Sequence, residues 1–187
     1  LLRALKTGHN QIFLSASKTQ AYVFRKYIIA FARLVDVDLS GDPIVIGNNG
    51  AELIFLGTNS NTAQSHNGDL YVDEIFWIPN FQKLRKVASG MASQSHLRTT
   101  YFSTPSTLAH GAYPFWSGEL FNRGRSNRDE RVDIDISHQA LAGGMLCGDG
   151  QWRQIVTIED ALAGGCTLFN LDQLRQENSA DDFRNLF

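Results

Sequence analysis

Asp69-Leu70-Tyr71-Val72-Asp73-Glu74-Ile75-Phe76-Trp77-Ile78 is the stretch that most constrains what this chain can become. Its aliphatic, β-branched and aromatic residues read as a buried strand, and it runs onto two adjacent carboxylates. In open α/β sheets, ligands bind at the carboxyl ends of the strands. Successive strand residues point to opposite sides, so Asp73 and Glu74 are free to take different jobs. One can hold Mg²⁺ through its water shell while the other orients a water for attack on a γ-phosphate. The competing reading is an exposed Asp-Glu pair that caps the next segment, and the strand alone does not choose between them. No Gly-rich phosphate loop of the form G-x-x-x-x-G-K-S/T occurs in the 187 residues, so the two carboxylates look like half of a nucleotide site.

The surrounding pattern is that of an open α/β sheet. Gln11 to Ser17 reads as a short buried strand, and Lys18 to Leu34 as an amphipathic helix capped by Ser17 or Thr19. Pro43 to Ile46 and Glu52 to Leu56 flank Gly47-Asn48-Asn49-Gly50, the signature of an antiparallel hairpin added to the sheet. A polar loop, Thr58 to Gly68, leads into the carboxylate strand. Phe81 to Met91 follows as a helix, and Leu97 to Ser103 as a strand ended by Thr104-Pro105-Ser106. The pattern weakens beyond residue 111. Tyr113 to Trp116 starts a short helix, Asn122 to Arg131 is an Arg-rich polar loop, and Val132 to Ile136 alternates like a half-exposed strand. Thr157 to Ala163 and Asp172 to Asn178 read as helices, with Thr157 and Asn170 as caps.

Composition narrows the function classes. A hydrophobic share of 43% suits a soluble globular core, and no apolar run reaches membrane-spanning length. Two cysteines are too few for a zinc site, and nothing resembles a secretory signal, so an intracellular, reducing setting is expected. Residues 1–110 hold ten Lys+Arg against seven Asp+Glu, whereas residues 111–187 hold seven against twelve, an imbalance expected of ordinary solvated surface. The chain opens on Leu1 in what reads as the last turns of a helix closed by Gly8, and it ends on an apolar segment at Phe187; both suggest an internal piece of a longer protein.

A second strand ending supports the nucleotide reading. Ser103-Thr104-Pro105-Ser106 follows the carboxylates by about thirty positions, as expected of the neighbouring strand, and its hydroxyls are placed to sense a γ-phosphate. Taken alone such a turn is nearly always only a turn. At this point the residues match a known family: the chain resembles the ATPase region of the large terminase subunit of temperate tailed phages that package DNA from cohesive ends. The resemblance covers essentially the whole chain. It rests on Ile12-Phe13-Leu14-Ser15-Ala16-Ser17 after a helix, on Gly68 through Trp77, and on Tyr101-Phe102-Ser103-Thr104-Pro105-Ser106 followed by Phe115-Trp116.

The resemblance implies a P-loop NTPase fold of the helicase-like (ASCE) type, α/β, with a mostly parallel sheet, an added antiparallel hairpin and no phosphate-loop strand. Residues 1–110 would be a partial ATPase core and residues 111–187 the end of the ATPase region, leading by a helical linker towards a nuclease domain. It further implies that Asp73 is the Walker B carboxylate for Mg²⁺ and Glu74 the catalytic glutamate. Ser103, Thr104 and Pro105 would form the coupling motif, and Ser15 and Ser17 would lie near DNA. Many relatives carry an arginine where this chain has Gln64. The implied cofactors are ATP and Mg²⁺; the implied partners are duplex DNA, a small terminase subunit and the portal protein of the prohead, in the host cytoplasm and with no membrane. Without the phosphate loop and its strand, residues 1–187 alone are expected to hydrolyse no ATP and to expose a sticky sheet edge.

Two other classes remain open. Asp69, Asp73 and Glu74 together would suit a two-metal nuclease if further carboxylates converged on them. A non-catalytic DNA-binding or assembly module is the third reading. The five histidines are scattered, His66 being the one nearest the carboxylate strand; Arg123, Arg125, Arg128 and Arg131 could touch DNA phosphates, but the interleaved Asp129 and Glu130 favour a solvated loop.

Overall fold

The computed structural model describes residues 1–58 and 65–186, with side chains described through residue 183; Gln64 lies outside the described residues. The chain divides into two compact units, Leu1–Ser103 and Thr104–Phe187.

In the first unit a short helix α1 (Leu2–Thr7) precedes strand β1 (Gln11–Ser15), every residue of which is buried. Helix α2 (Lys18–Arg33) starts at Ser17, whose hydroxyl accepts from the Gln20 N–H while Gln20 reaches back to the Ser17 N–H, a capping box that fixes the start of the helix. Strands β2 (Ile44–Val45) and β3 (Glu52–Gly57) form the antiparallel hairpin. Strand β4 (Asp69–Asp73), helix α3 (Phe81–Met91) and strand β5 (Thr99–Phe102) complete the unit. The sheet order is β2-β3-β1-β4-β5, with β1, β3, β4 and β5 parallel. The fold is thus α/β, with a mostly parallel sheet and one antiparallel addition.

Register explains how both faces of the sheet are covered. Phe13 lies opposite Phe55 on one side and Tyr71 on the other, and the three rings stack 5.0–5.2 Å apart, with Phe24 of α2 against Phe13 at 5.3 Å. Alternation sends Ile12, Leu14, Ile54, Leu70 and Val72 to the opposite face. Tyr101, paired with Val72, meets Phe81 there, so α3 covers that side. β1 is the central strand, which is why all five of its residues are buried and its middle three are apolar.

The carboxylate strand ends at its carboxylates, as expected: it stops at Asp73, because Glu74 takes left-handed dihedrals (φ 53°, ψ 47°) and Ile75–Trp77 form one 3-10 turn. One expectation is corrected. Val132–Ile136 is not a strand. The backbone N–H and C=O of Val132 are instead bonded by the Asn122 side chain at 2.9 and 2.8 Å, which closes the Arg-rich loop and takes the groups a strand partner would need.

The second unit is built of short pieces: helices α4 (Tyr113–Trp116), α5 (Glu119–Asn122) and α6 (His138–Leu141), a two-stranded ribbon β6 (Met145–Leu146) and β7 (Trp152–Arg153), and helices α7 (Ile158–Ala163), α8 (Leu171–Glu177) and α9 (Ala180–Leu186). Thr157 and Asn170 cap α7 and α8 as their sequences indicate. Arg153, nearly fully buried, forms a two-pronged pair with Asp149 and donates to the carbonyls of Phe115 and Trp116, so one guanidinium ties the ribbon to α4. No helix among the described residues is long and apolar enough to cross a membrane.

Candidate functional site

Parallel strands that start together finish together, so β1, β3, β4 and β5 deliver Ser15, Gly57, Asp73 and Phe102 to one edge of the sheet. Leu14 pairs with Val72, and the next step sets Ser15 beside Asp73; the Ser15 hydroxyl donates to Asp73 Oδ2 at 3.1 Å. Asp73 pairs with Phe102, and the next step sets Glu74 beside Ser103; the Ser103 hydroxyl donates to Glu74 Oε2 at 3.0 Å. Each carboxylate therefore carries a serine from a different neighbouring strand.

The turn after β4 completes the arrangement. Positive φ at Glu74 breaks the strand, and the Trp77 N–H returns to the Glu74 carbonyl at 2.9 Å. Ser103 also accepts the Phe76 N–H at 3.2 Å, so a single hydroxyl holds both the Glu74 carboxylate and the backbone that follows it. A non-glycine residue in this dihedral region stores strain that the surroundings must hold, and such residues gather at functional sites.

Burial pushes the Asp73 carboxyl above its ordinary range; the Ser15 hydroxyl opposes the shift, and the neighbouring charge of Glu74 adds to it. A half-buried carboxylate beside a second one is a site that a cation relieves. The donors suit hydrated Mg²⁺, which keeps most of its waters and needs one or two carboxylates.

Among the residues expected at a site, Ser15, Asp73, Glu74 and Ser103 come together. Ser17 does not join them; its hydroxyl is taken by the capping box of α2. Thr104 and Pro105 run on as exposed, irregular chain beyond β5. Asp69, grouped with Asp73 and Glu74 in the nuclease reading, sits at the opposite end of β4. There it is 1% exposed, accepts two bonds from Arg3 at 2.7 and 2.9 Å, one from Gln11 at 3.0 Å and one from the Arg98 N–H at 2.8 Å, and its pKa is held down to about 2. It anchors α1 to the sheet. Among the described residues no group of three or more His, Cys, Asp or Glu is placed to hold a metal ion. Two of the loop arginines are engaged locally, Arg125 with the Phe121 carbonyl and ring and Arg131 with the Arg125 carbonyl.

Sequence reading missed two parts of the site. The Ser15–Asp73 bond joins residues 58 positions apart, and only strand order and register reveal it. Gly57 lies beside Ser15 with no room for a side chain: a Cβ there would stand 2.7 Å from the Lys18 nitrogen and 3.0 Å from the Ser17 carbonyl carbon. The glycine lets the start of α2 press against the end of β3.

Comparison with known proteins gives the family. The chain is 88% identical over all of its 187 residues to the "Terminase, ATPase subunit" of Escherichia phage P2, of which it covers 32%. It is 49% identical over 186 residues to the "Probable terminase, ATPase subunit" of Haemophilus phage HP1, covering 98% of this chain and 30% of that protein. The chain therefore spans about a third of the length of the curated relatives it matches. The family described as terminase large subunit, T4likevirus-type, N-terminal, matches residues 1–187. The chain belongs to the terminase large-subunit family, and to its N-terminal part.

Proposed function

We propose that this chain is part of the ATPase of a viral DNA-packaging motor, which couples ATP hydrolysis to translocation of duplex DNA into a prohead. The observation that carries the reading is the pairing of Asp73 and Glu74 with Ser15 and Ser103 at the carboxyl edge of a parallel sheet, in a chain whose relatives are named terminase ATPase subunits. In this reading the sheet is that of a P-loop NTPase. Asp73 is the Walker B carboxylate, which would hold Mg²⁺ through its water shell; the ion would supply neutralisation of phosphate charge. Glu74 orients the attacking water. Ser103, bonded to Glu74 and covalently followed by Thr104 and Pro105, is where a change at the phosphate passes into the next unit of the chain. The segment of Ser15 and Ser17, leading into α2, is the part proposed to lie near DNA, with the buried Ser15 hydroxyl turned to Asp73.

ATP would be gripped mainly by a phosphate loop supplied outside these 187 residues, since backbone N–H groups and a lysine do most of that work. The strand carrying it would pair with β5, one of the two edge strands of the described sheet. Duplex DNA, a small terminase subunit and the portal protein are the proposed partners, in the host cytoplasm.

The test uses the chain extended to the length of its relatives. DNA-stimulated ATPase is measured for Asp73→Asn and Glu74→Gln. Both substitutions are expected to reduce turnover by at least about a hundred-fold, the scale of losing a general base or a metal carboxylate. Turnover at the parent level in both variants would refute the assignment.

A further inference from the structure

We infer that Ser15 is a positioning residue for the cation carboxylate: its hydroxyl, at the end of the central strand, fixes the orientation in which Asp73 meets the water shell of Mg²⁺. The inference rests on the reading of Asp73 given above and adds a second residue to that carboxylate's support.

Three features carry it. Ser15 is fully buried, and a buried hydroxyl is costly unless bonded. A hydroxyl has one proton to donate, and this one goes to Asp73 Oδ2. The same burial keeps solvent from competing for that hydroxyl.

Its backbone is clamped from the other side. The Thr58 N–H donates to the Ser15 carbonyl at 3.0 Å, and the Thr58 hydroxyl donates to the Ala16 carbonyl at 3.0 Å. Gly57 admits the Ser17–Lys18 backbone against β3, and the capping box at Ser17 then sets the direction of α2. Ser15 is thus held by β3, by β4 and by the start of a sixteen-residue helix. An aspartate side chain has two rotatable bonds, and a partner held this firmly removes that freedom before the cation arrives. Groups that orient a metal's carboxylates set its affinity although they never touch it.

The experiment again uses the chain extended to the length of its relatives. Mn²⁺ stands in for Mg²⁺, and its half-saturating concentration is read from binding of a fluorescent ATP analogue, without turnover. Ser15→Ala is expected to raise that concentration by about ten-fold with an unchanged melting midpoint, and Ser15→Thr, which keeps the hydroxyl, to restore it to within about two-fold. In the Asp73→Asn background, Ser15→Ala is expected to add nothing, because its effect passes through the carboxylate. A Ser15→Ala protein with the parent's Mn²⁺ requirement overturns the inference, as does an effect that survives in full in the Asp73→Asn background. Should Ser15→Ala fail to fold, Ser15→Thr decides: a requirement near the parent's supports the inference, and one weakened about ten-fold overturns it. If Asp73→Asn itself leaves the Mn²⁺ requirement unchanged, the assignment of Asp73 fails, an outcome distinct from failure at Ser15 alone.

Discussion

Ser103 Oγ lies 3.0 Å from Glu74 Oε2 and 3.2 Å from the Phe76 nitrogen, so one hydroxyl on the end of β5 holds both the carboxylate and the turn that ends β4. The bond matters because Glu74 has φ 53°, a conformation that costs energy for any residue with a Cβ. Fixing both the side chain and the N–H two residues on defines where the carboxylate points. Ser103 is also the last residue of the first unit, immediately before Thr104.

Removing that hydroxyl should therefore harm the orientation of Glu74 more than the binding of nucleotide. Ser103→Ala in the extended chain is expected to lower kcat for ATP by about ten-fold or more, while KM for ATP stays within about two-fold, since the lost contact positions a catalytic group and not the substrate. Steady-state ATPase in the presence of DNA checks this. A rise in KM at constant kcat would mean that Ser103 acts on binding.

Asp73 gives a second expectation, in which stability and activity move in opposite directions. Burial raises its folded pKa, with Ser15 opposing and Glu74 adding. A carboxyl whose folded pKa is raised holds its proton more tightly in the native chain, so its contribution to stability is present at acid pH and is lost as pH rises through the folded pKa. At neutral pH the ionised form thus works against folding. Asp73→Asn removes that charge while an amide oxygen still accepts from Ser15. The variant is expected to lose turnover and to gain about 1 kcal/mol or less, a rise of up to roughly 2–4 °C in melting midpoint at pH 7. A lower midpoint would show that the charge is compensated.

The ease of reading differed between local and distant features for a physical reason. Ser17 before α2, Thr157 before α7 and Asn170 before α8 are caps whose partners lie three residues away, so the local sequence contains the whole interaction. β1 is buried throughout because it is central, and the hairpin announces itself in Gly47 to Gly50. Val132 to Ile136 has the alternation of a strand, but alternation supplies no partner, and Asn122 takes the backbone groups of Val132 first. Asp73 and Glu74 stand out as a candidate site because two adjacent carboxylates close a buried strand. Their serines were not equally legible: Ser103 follows from its position after a strand, whereas the partnership of Ser15 with Asp73 requires knowing that β1 and β4 are neighbours in register. Asp69 shows the same limit, since its principal partner, Arg3, lies 66 positions away.

That pair is expected to set the acid limit of the fold. Although burial alone would raise the Asp69 carboxyl, the bonds from Arg3, Gln11 and the Arg98 N–H outweigh it and hold the pKa at about 2. A depressed carboxylate contributes stability above its unfolded pKa and loses it as pH falls through the folded value. Unfolding measured between pH 4 and pH 2 should thus steepen in the parent, and Asp69→Asn should flatten that part of the profile. At pH 7 the same substitution should cost about 2–3 kcal/mol, below the figure for a fully enclosed pair because Arg3 is 26% exposed. An Asp69→Asn chain with the parent's acid profile would mean that other carboxylates set the limit.

Gly57 and Gly47 make a paired test of how tightly the edge of the site is packed. A Cβ at Gly57 would stand 2.7 Å from the Lys18 nitrogen and 3.0 Å from the Ser17 carbonyl carbon, all backbone atoms that no rotamer change can move aside. A Cβ at Gly47 meets nothing within 4 Å. Gly57→Ala must therefore push α2 away from β3, at a cost of about 1–3 kcal/mol, whereas Gly47→Ala should be neutral or stabilise by up to about 1 kcal/mol through the unfolded chain. Since Ser15 belongs to the segment that would shift, Gly57→Ala should also weaken Mn²⁺-dependent nucleotide binding in the extended chain. Thermal melts of the two variants read the first effect, and titration of Mn²⁺ reads the second. Equal midpoints for Gly57→Ala and Gly47→Ala would show that the start of α2 yields to a methyl group and does not clamp Ser15.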